Sequence, residues 1–433
     1  MRNGFKATLV SGAALLTAFG VATAVAVPAN ADPANPNPTK ESQELALVGV
    51  GSDTIQDLFT GLSRVVTDGT AGTPVIASYD ATGSAQIKTR VLGQEFDRPN
   101  GSGPGRDALK SAVAGSTVKD NGANVVLHGS DVQFARSSSF NNGSALSDSG
   151  RYAQIPIAVD AVTYATNGGT NGTKIPSGIP EGGSPAASDG TTAAPAALTL
   201  ANIFGGKGYL SGTVGGTTYK FYSGTGASSD QTNWPKLDVF VPQSGSGTRN
   251  FWYQALNLGT NTALPNGVLD QFNGKVNEEH DGTALDGDPL AIEPFSIAQW
   301  NAQSTVAALN GKYGTNVTDR RHNAVLNSVA DSTGAVVSPT TSGKLNTAFP
   351  ISRPVFVIVE YAALKINPYL KAAFVSNANF ALNKSIYDAV ATSGRTNTIT
   401  DFGFAKIPAA GFTTPVYPGV TFKQGDADDY RFN

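Results

Sequence analysis

The chain has 433 residues, of which 15% are charged, with a formal net charge of −3 and no cysteine. A mildly acidic balance excludes a general attraction to nucleic acid or anionic lipid, so any anion site has to be built locally. The missing cysteine excludes a disulfide framework, a thiolate metal centre and the lipid-bearing cysteine of a bacterial lipoprotein, so core burial alone must hold a chain long enough for two or three domains.

The first six residues carry Arg2 and Lys6 and no acid, residues 7–27 are small and apolar, and Ala29-Asn30-Ala31 forms an A-x-A site. This pattern predicts a secretory signal peptide cleaved after Ala31, hence a secreted, extracellular protein. Residues 32–44 begin with alternating Pro, Asn and Ala and read as an extended leader. No later segment is apolar enough to span a bilayer.

Folding is expected to begin near Leu45. Residues 46–51 read as a buried strand, and Ser52-Asp53-Thr54 caps an amphipathic run over residues 55–66. Residues 75–79 are strand-like. The Gly-rich stretch at residues 98–106 forms a turn before a helix at residues 107–114. Val132-Gln133-Phe134-Ala135 is a short strand closed by Arg136-Ser137-Ser138-Ser139. Val239-Phe240-Val241 then runs into Ser244-Gly245-Ser246-Gly247-Thr248-Arg249 and an aromatic helix start. Four turns thus place glycines and small hydroxyl residues at the carboxyl ends of strands, where ligands sit in open α/β sheets.

Residues 168–197 are rich in Gly, Pro, Ser, Thr and Ala and read as a surface insertion, while residues 209–225 read as a β-hairpin turning at Gly215-Gly216. Two strongly apolar β-rich segments, residues 155–165 and 349–359, suit strands crossing between lobes.

A tetrahedral oxyanion needs many donors converging on a small volume. A Gly-rich turn entering a helix offers outward backbone N–H groups with the positive end of the helix dipole behind them, and Ser and Thr hydroxyls add donors without bulk. In the turn at residues 244–249, Gly247 permits close backbone approach, Ser246 and Thr248 donate, and Arg249 brings a full positive charge. Ser246-Gly247-Thr248 alone reads equally well as an ordinary helix cap.

The order of Val48-Gly49-Val50-Gly51-Ser52-Asp53-Thr54, Asn100-Gly101-Ser102-Gly103-Pro104-Gly105, Phe134-Ala135-Arg136-Ser137-Ser138 and Ser244-Gly245-Ser246-Gly247-Thr248-Arg249 resembles that of the anion-gripping turns of periplasmic-type phosphate-binding proteins of ABC importers. Residues 349–355 resemble that family's return crossing, and Asp401-Phe402-Gly403-Phe404 resembles its C-terminal aromatic motif. The absent lipid cysteine suits a secreted, Gram-positive-like branch of the family.

The resemblance implies an α/β, two-lobed periplasmic-binding-protein (venus-flytrap) fold with two crossing hinge strands. Residues 45–155 and 349–433 would form the first lobe and residues 156–348 the second. It also implies a monomer that captures phosphate for import and hands it to an ABC permease, with no covalent chemistry. Residue by residue, it assigns ligand contacts to Ser52, Asp53 and Thr54, to Ser102 and Gly103, to Ser137 and Ser138, and to Ser246, Gly247, Thr248 and Arg249. Gly83-Ser84-Ala85 is the rival for the second turn.

Two departures from the family pattern bear on the ligand. The family's proton-accepting Asp is Ser138 here, and its binding arginine is Pro242. Arg249 or Arg136 would have to supply the charge, and Asp53 the acceptor, unless Asp53 serves as a helix cap. Another oxyanion, a phosphorylated small molecule, or a surface protein that kept the fold without transport are the alternatives.

No G-x-S-x-G or nucleotide-binding loop is present, and His128, His280 and His322 show no ligand spacing, so no catalytic residue, metal or cofactor is expected. The run Glu278-Glu279-His280-Asp281 lacks the spacing of a calcium loop and reads as solvated charge.

Overall fold

The computed structural model describes residues 32–33, 38–68, 72–141, 146–225, 234–259, 263–375 and 397–433, so the expected signal peptide lies outside the described residues. Among the described residues, no helix is long and apolar enough to cross a membrane.

Among the described residues, the architecture is built on a ten-stranded mixed sheet. Its strands are β1 (Leu47–Gly51), β2 (Ile76–Ser78), β3 (Phe134–Ser137), β4 (Tyr152–Asn167), β5 (Asp238–Phe240), β6 (Val268–Leu269), β7 (Ala291–Ser296), β8 (Ala324–Leu326), β9 (Ser352–Glu360) and β10 (Arg431–Phe432). The order is β6-β5-β7-β4-β9-β3-β1-β2, and β8 and β10 also pair with β4. Two blocks of parallel strands, β2-β1-β3 and β6-β5-β7, flank the antiparallel pair β4–β9.

The long strand β4 explains why these blocks are two lobes of one molecule. Its first part, through Ala161, pairs with β9, and Val162–Thr166 pairs with β7. All 16 residues of β4 are buried. Continuous burial on both faces demands a run of apolar residues rather than alternation, and Ile155-Pro156-Ile157-Ala158-Val159 followed by Ala161 and Val162 supplies it. The second crossing is β9, which delivers Ser352 and Arg353 into the first block opposite Ala161 and Asp160. The chain therefore has the two-lobed α/β fold with crossing strands.

Helices follow the strands: α1 (Gln56–Ser63) after β1, α2 (Ser102–Ala114) before β3, α3 (Gly247–Ala255) after β5 and α4 (Ile297–Gln303) after β7. Two local expectations are corrected. The Gly-rich stretch around Ser102 is the first turn of α2 rather than a preceding loop, because Gly101 adopts φ +102° just ahead of it. Arg136 and Ser137 lie inside β3 rather than in a turn.

The hairpin pairs Tyr209–Val214 with Thr217–Tyr222 across Gly215 and Gly216, both at positive φ. The insertion at residues 168–197 is largely exposed but sends Ile175 and Ile179 into the core. The leader is more engaged than expected: Asp32 receives both terminal nitrogens of Arg98, at 2.8 Å each, and the Asp80 N–H at 2.9 Å.

Candidate functional site

The carboxyl ends of β1, β3, β5 and β7 converge where the lobes meet, and the start of α2 joins them. The turns touch directly. Gly103 N–H of one lobe donates to the Gly245 carbonyl of the other at 3.0 Å. A Cβ on Gly247 would sit 2.3 Å from Ser102 Oγ and 2.4 Å from Ser138 Oγ, so only glycine allows this approach.

Around that contact lies a buried hydroxyl cradle. Ser102 Oγ accepts from Ser138 N–H at 3.0 Å and lies 3.4 Å from Ser138 Oγ. Ser84, the rival to Ser102, is exposed and bonds Gln86 and Arg98 instead. From the other lobe, Ser246 caps α3 by accepting from Thr248 and Arg249 N–H, and Thr248 Oγ1 comes within 3.0 Å of Thr54 Oγ1.

The charge of this cradle comes from Arg353, which sequence reasoning saw only as part of a crossing strand. Its guanidinium donates to Thr248 Oγ1 at 2.8 Å, to the Ser138 carbonyl at 2.9 Å and to Asp160 Oδ2 at 2.8 and 3.2 Å. Asp160 also accepts from Ser296 Oγ and from Ala298 N–H at 3.1 Å. Arg353 and Asp160 are cross-strand partners on β9 and β4, which fixes their meeting at the lobe junction.

The two arginines expected to supply that charge face elsewhere. Arg249 extends to Asp270 Oδ2 at 2.9 Å and lies against the Tyr253 ring. As the third residue of α3, its side chain leaves the helix on the side away from the cradle. Arg136 is fully buried behind the first turn, donating to the carbonyls of Ser52 at 3.1 Å and Gly51 at 3.0 Å and to Ser78 Oγ at 2.8 Å. Burial lowers its pKa to about 10, and it ties β1 to β2 and β3. Ser137 is spent locally, donating to the Ser139 carbonyl at 2.9 Å.

The run at residues 278–281 also departs from expectation. Glu279 and His280 are fully buried and Glu278 nearly so, because hydrogen bonds tie the segment to β7 and α4. Ser296 N–H of β7 donates to the Glu279 carbonyl at 2.9 Å, and Gln303 Nε2 of α4 donates to the His280 carbonyl at 2.9 Å.

The Glu279 carboxylate enters the cradle itself, accepting from Thr54 Oγ1, from Thr248 Oγ1 at 2.6 Å and from Ser246 Oγ at 3.2 Å. Burial acts to raise its pKa, but His280, the two threonine hydroxyls and Arg353 outweigh burial and hold it below the ordinary value. Glu279 is thus an anion seated among hydroxyls.

Asp53 does not cap α1. Only its carbonyl accepts from Gln56 N–H, and neither side-chain oxygen has a hydrogen-bond partner. Burial, then the neighbouring Glu279, raises its pKa well above the usual carboxylate range. His280 Nδ1 lies 3.7 Å from Asp53 Oδ2, and His280 Nε2 lies 3.2 Å from Glu278 Oε2. Burial and Arg320 press the imidazole toward neutrality, yet Glu278 and Asp53 prevail and raise its pKa to about 9. Ser52, also fully buried, keeps a hydroxyl without a partner.

No family model and no curated protein matches the chain. Among solved structures it is similar to an ABC-type phosphate transport receptor from Vibrio cholerae, with 12% identity over 84% of this chain and 100% of that one and a TM-score of 0.42. A putative phosphate ABC transporter substrate-binding protein from Clostridium perfringens, with bound phosphate, shares 12% identity over 84% and 99% at a TM-score of 0.40. A high-affinity periplasmic phosphate-binding protein shares 16% identity over 87% and 96% at 0.41. Similarity at this level carries no functional argument, which has to come from the site.

Proposed function

We propose that the chain is a solute-binding protein that closes its two lobes over a small tetrahedral oxyanion, phosphate first among them. The observation that carries this reading is the convergence of Ser102, Ser138, Ser246, Thr248 and Arg353 from both lobes on one buried volume. Donors fixed in advance in a dry site bind an anion far better than the same donors in water. The seated Glu279 carboxylate supports the reading, since it shows the cradle satisfying an oxyanion of the chain's own.

Glu279 also takes over the acceptor role that the sequence left to Asp53. An ionised carboxylate facing the ligand accepts the proton of hydrogen phosphate but repels fully ionised sulfate. Binding involves no covalent step. The signal-like N-terminal residues support secretion, and delivery of the anion to an ABC permease is part of the same proposal.

A second reading is favoured by the same carboxylate. If Glu279 permanently satisfies the cradle, the chain keeps the fold without a ligand. Calorimetric titration of phosphate and of sulfate into protein stripped by unfolding and refolding separates the readings. Micromolar or tighter phosphate binding with much weaker sulfate binding is expected. Equal binding of both anions contradicts the acceptor role, and heat from neither contradicts oxyanion capture.

A further inference from the structure

Beside the cradle lies a group of side chains that shares Glu279 with it and adds Asp53 and His280, which the oxyanion reading does not use. Asp53, Glu279 and His280 each offer a ligand atom, all within 4.8 Å of one another, and all three residues are fully buried. They come from both lobes, Asp53 following β1 and the other two preceding β7. Among the described residues, neither Asp53 oxygen and neither His280 nitrogen makes a well-aligned hydrogen bond, although Glu278 Oε2 lies 3.2 Å from His280 Nε2 and Asp53 Oδ2 lies 3.7 Å from His280 Nδ1. Buried polar groups of a folded chain are otherwise almost always satisfied, and buried charge without a partner is costly.

The charge balance points the same way. Glu293 is also fully buried, with one oxygen held by Asn277 Nδ2 at 2.9 Å and the other without a partner. The nearby arginines are engaged by other acids, Arg320 by Asp57 at 3.2 Å and Arg353 by Asp160 at 2.8 Å. Asp53, Glu278, Glu279 and Glu293 therefore place four carboxyl groups near one imidazole.

We propose that Asp53, Glu279 and His280 form a binding site for one divalent first-row transition-metal ion, Zn2+ or Mn2+, which bridges the two lobes. Two carboxylates and an imidazole suit these ions, whereas a calcium site would require six or more oxygens. Ligand atoms around a tetrahedral Zn2+ stand about 3.4 Å apart, so the 3.7 Å between His280 Nδ1 and Asp53 Oδ2 closes by a few tenths of an ångström, and no pair within the 4.8 Å cluster has to close by more than about 1.4 Å. Three protein ligands leave a coordination position free. Glu279 can serve the ion and the cradle hydroxyls together, because each carboxylate oxygen has two lone-pair sites.

The test is calorimetric titration of Zn2+ and of Mn2+ into the EDTA-treated full chain in phosphate-free buffer, with the unfolding midpoint followed in parallel. One ion of at least one of the two metals is expected to bind per chain and to raise the midpoint. Asp53→Asn and His280→Gln should each weaken binding by at least about 100-fold. Asp53→Asn replaces a carboxyl group that burial and Glu279 disfavour in its charged form with a neutral amide of the same shape, so the metal-free variant should unfold no earlier than the metal-free parent, which distinguishes a lost ligand from a lost fold. His322→Gln is the control, because His322 is exposed near Asp281 and Asp286 and offers an adventitious surface site. Failure of both metals to bind stoichiometrically, or binding abolished by His322→Gln and unchanged by Asp53→Asn and His280→Gln, would overturn the proposal.

Discussion

The two sides of the lobe junction contain the same kinds of residue but treat them differently. On the Arg353 side, Asp160 accepts from Arg353, Ser296 and Ala298, and the guanidinium also reaches Thr248 and Ser138. On the Asp53 side, among the described residues, both Asp53 oxygens and one Glu293 oxygen accept no hydrogen bond, and the equally buried His280 has only the Glu278 and Asp53 carboxyl groups beside it. A satisfied network fixes where the lobes meet, and an unsatisfied one marks where the folded chain is incomplete by itself.

The largest effect expected from breaking this contrast comes from Arg353→Met. It strands Asp160 in the interior and should cost about 3–5 kcal/mol of stability, read by denaturant unfolding. Little loss would mean that the two sides do not differ as described. Next, Gly247→Ala drives a methyl group between Ser102 and Ser138. It should cost about 1–3 kcal/mol and weaken phosphate binding, while an unchanged affinity would show that the lobes need not close this tightly.

Asp53→Asn should act in the opposite direction in EDTA, raising the unfolding midpoint by less than Gly247→Ala lowers it. A fall would show that the carboxylate has a partner within the chain. The smallest effect tests the same rule away from the junction. Burial and Asp331 raise the pKa of Glu181 from 4.5 to about 7, and one of its oxygens lacks a partner. Its folded-state pKa exceeds the unfolded value, so its contribution is present below pH 4.5 and lost as pH rises through 7. Glu181→Gln should flatten the decline of the midpoint across that window, and an unchanged slope would count against the rule.

The parts of this structure that were readable from sequence are those governed by local chemistry. Strands ending in Ser/Gly turns, the crossing segments and the Gly215-Gly216 hairpin follow from periodicity and turn residues. Ser102, Ser138, Ser246, Gly247 and Thr248 do meet, because each sits at an element end whose direction the local pattern sets.

What escaped depends on long-range packing. Arg249 stands in an anion-binding turn and Arg353 in a crossing strand, and only the rotation of α3 and the β4–β9 register send the first away and bring the second in. The run at residues 278–281 looks solvated by composition, yet the buried strand at residues 291–296, which follows after a short connection, was the available signal that this part of the chain would be carried inward. Asp53 looks like a helix cap because caps are common at such positions, and nothing local reveals that its carboxylate turns toward Glu279 and His280.

The most direct test of the central claim is a phosphate titration comparing Arg353→Gln with Arg249→Gln. If the cradle is assembled at the junction as described, Arg249→Gln keeps the parent affinity within a few-fold, while Arg353→Gln loses about 100-fold or more, as expected when a charge-assisted contact to an anion is removed. Loss on Arg249→Gln with retention on Arg353→Gln would contradict the account.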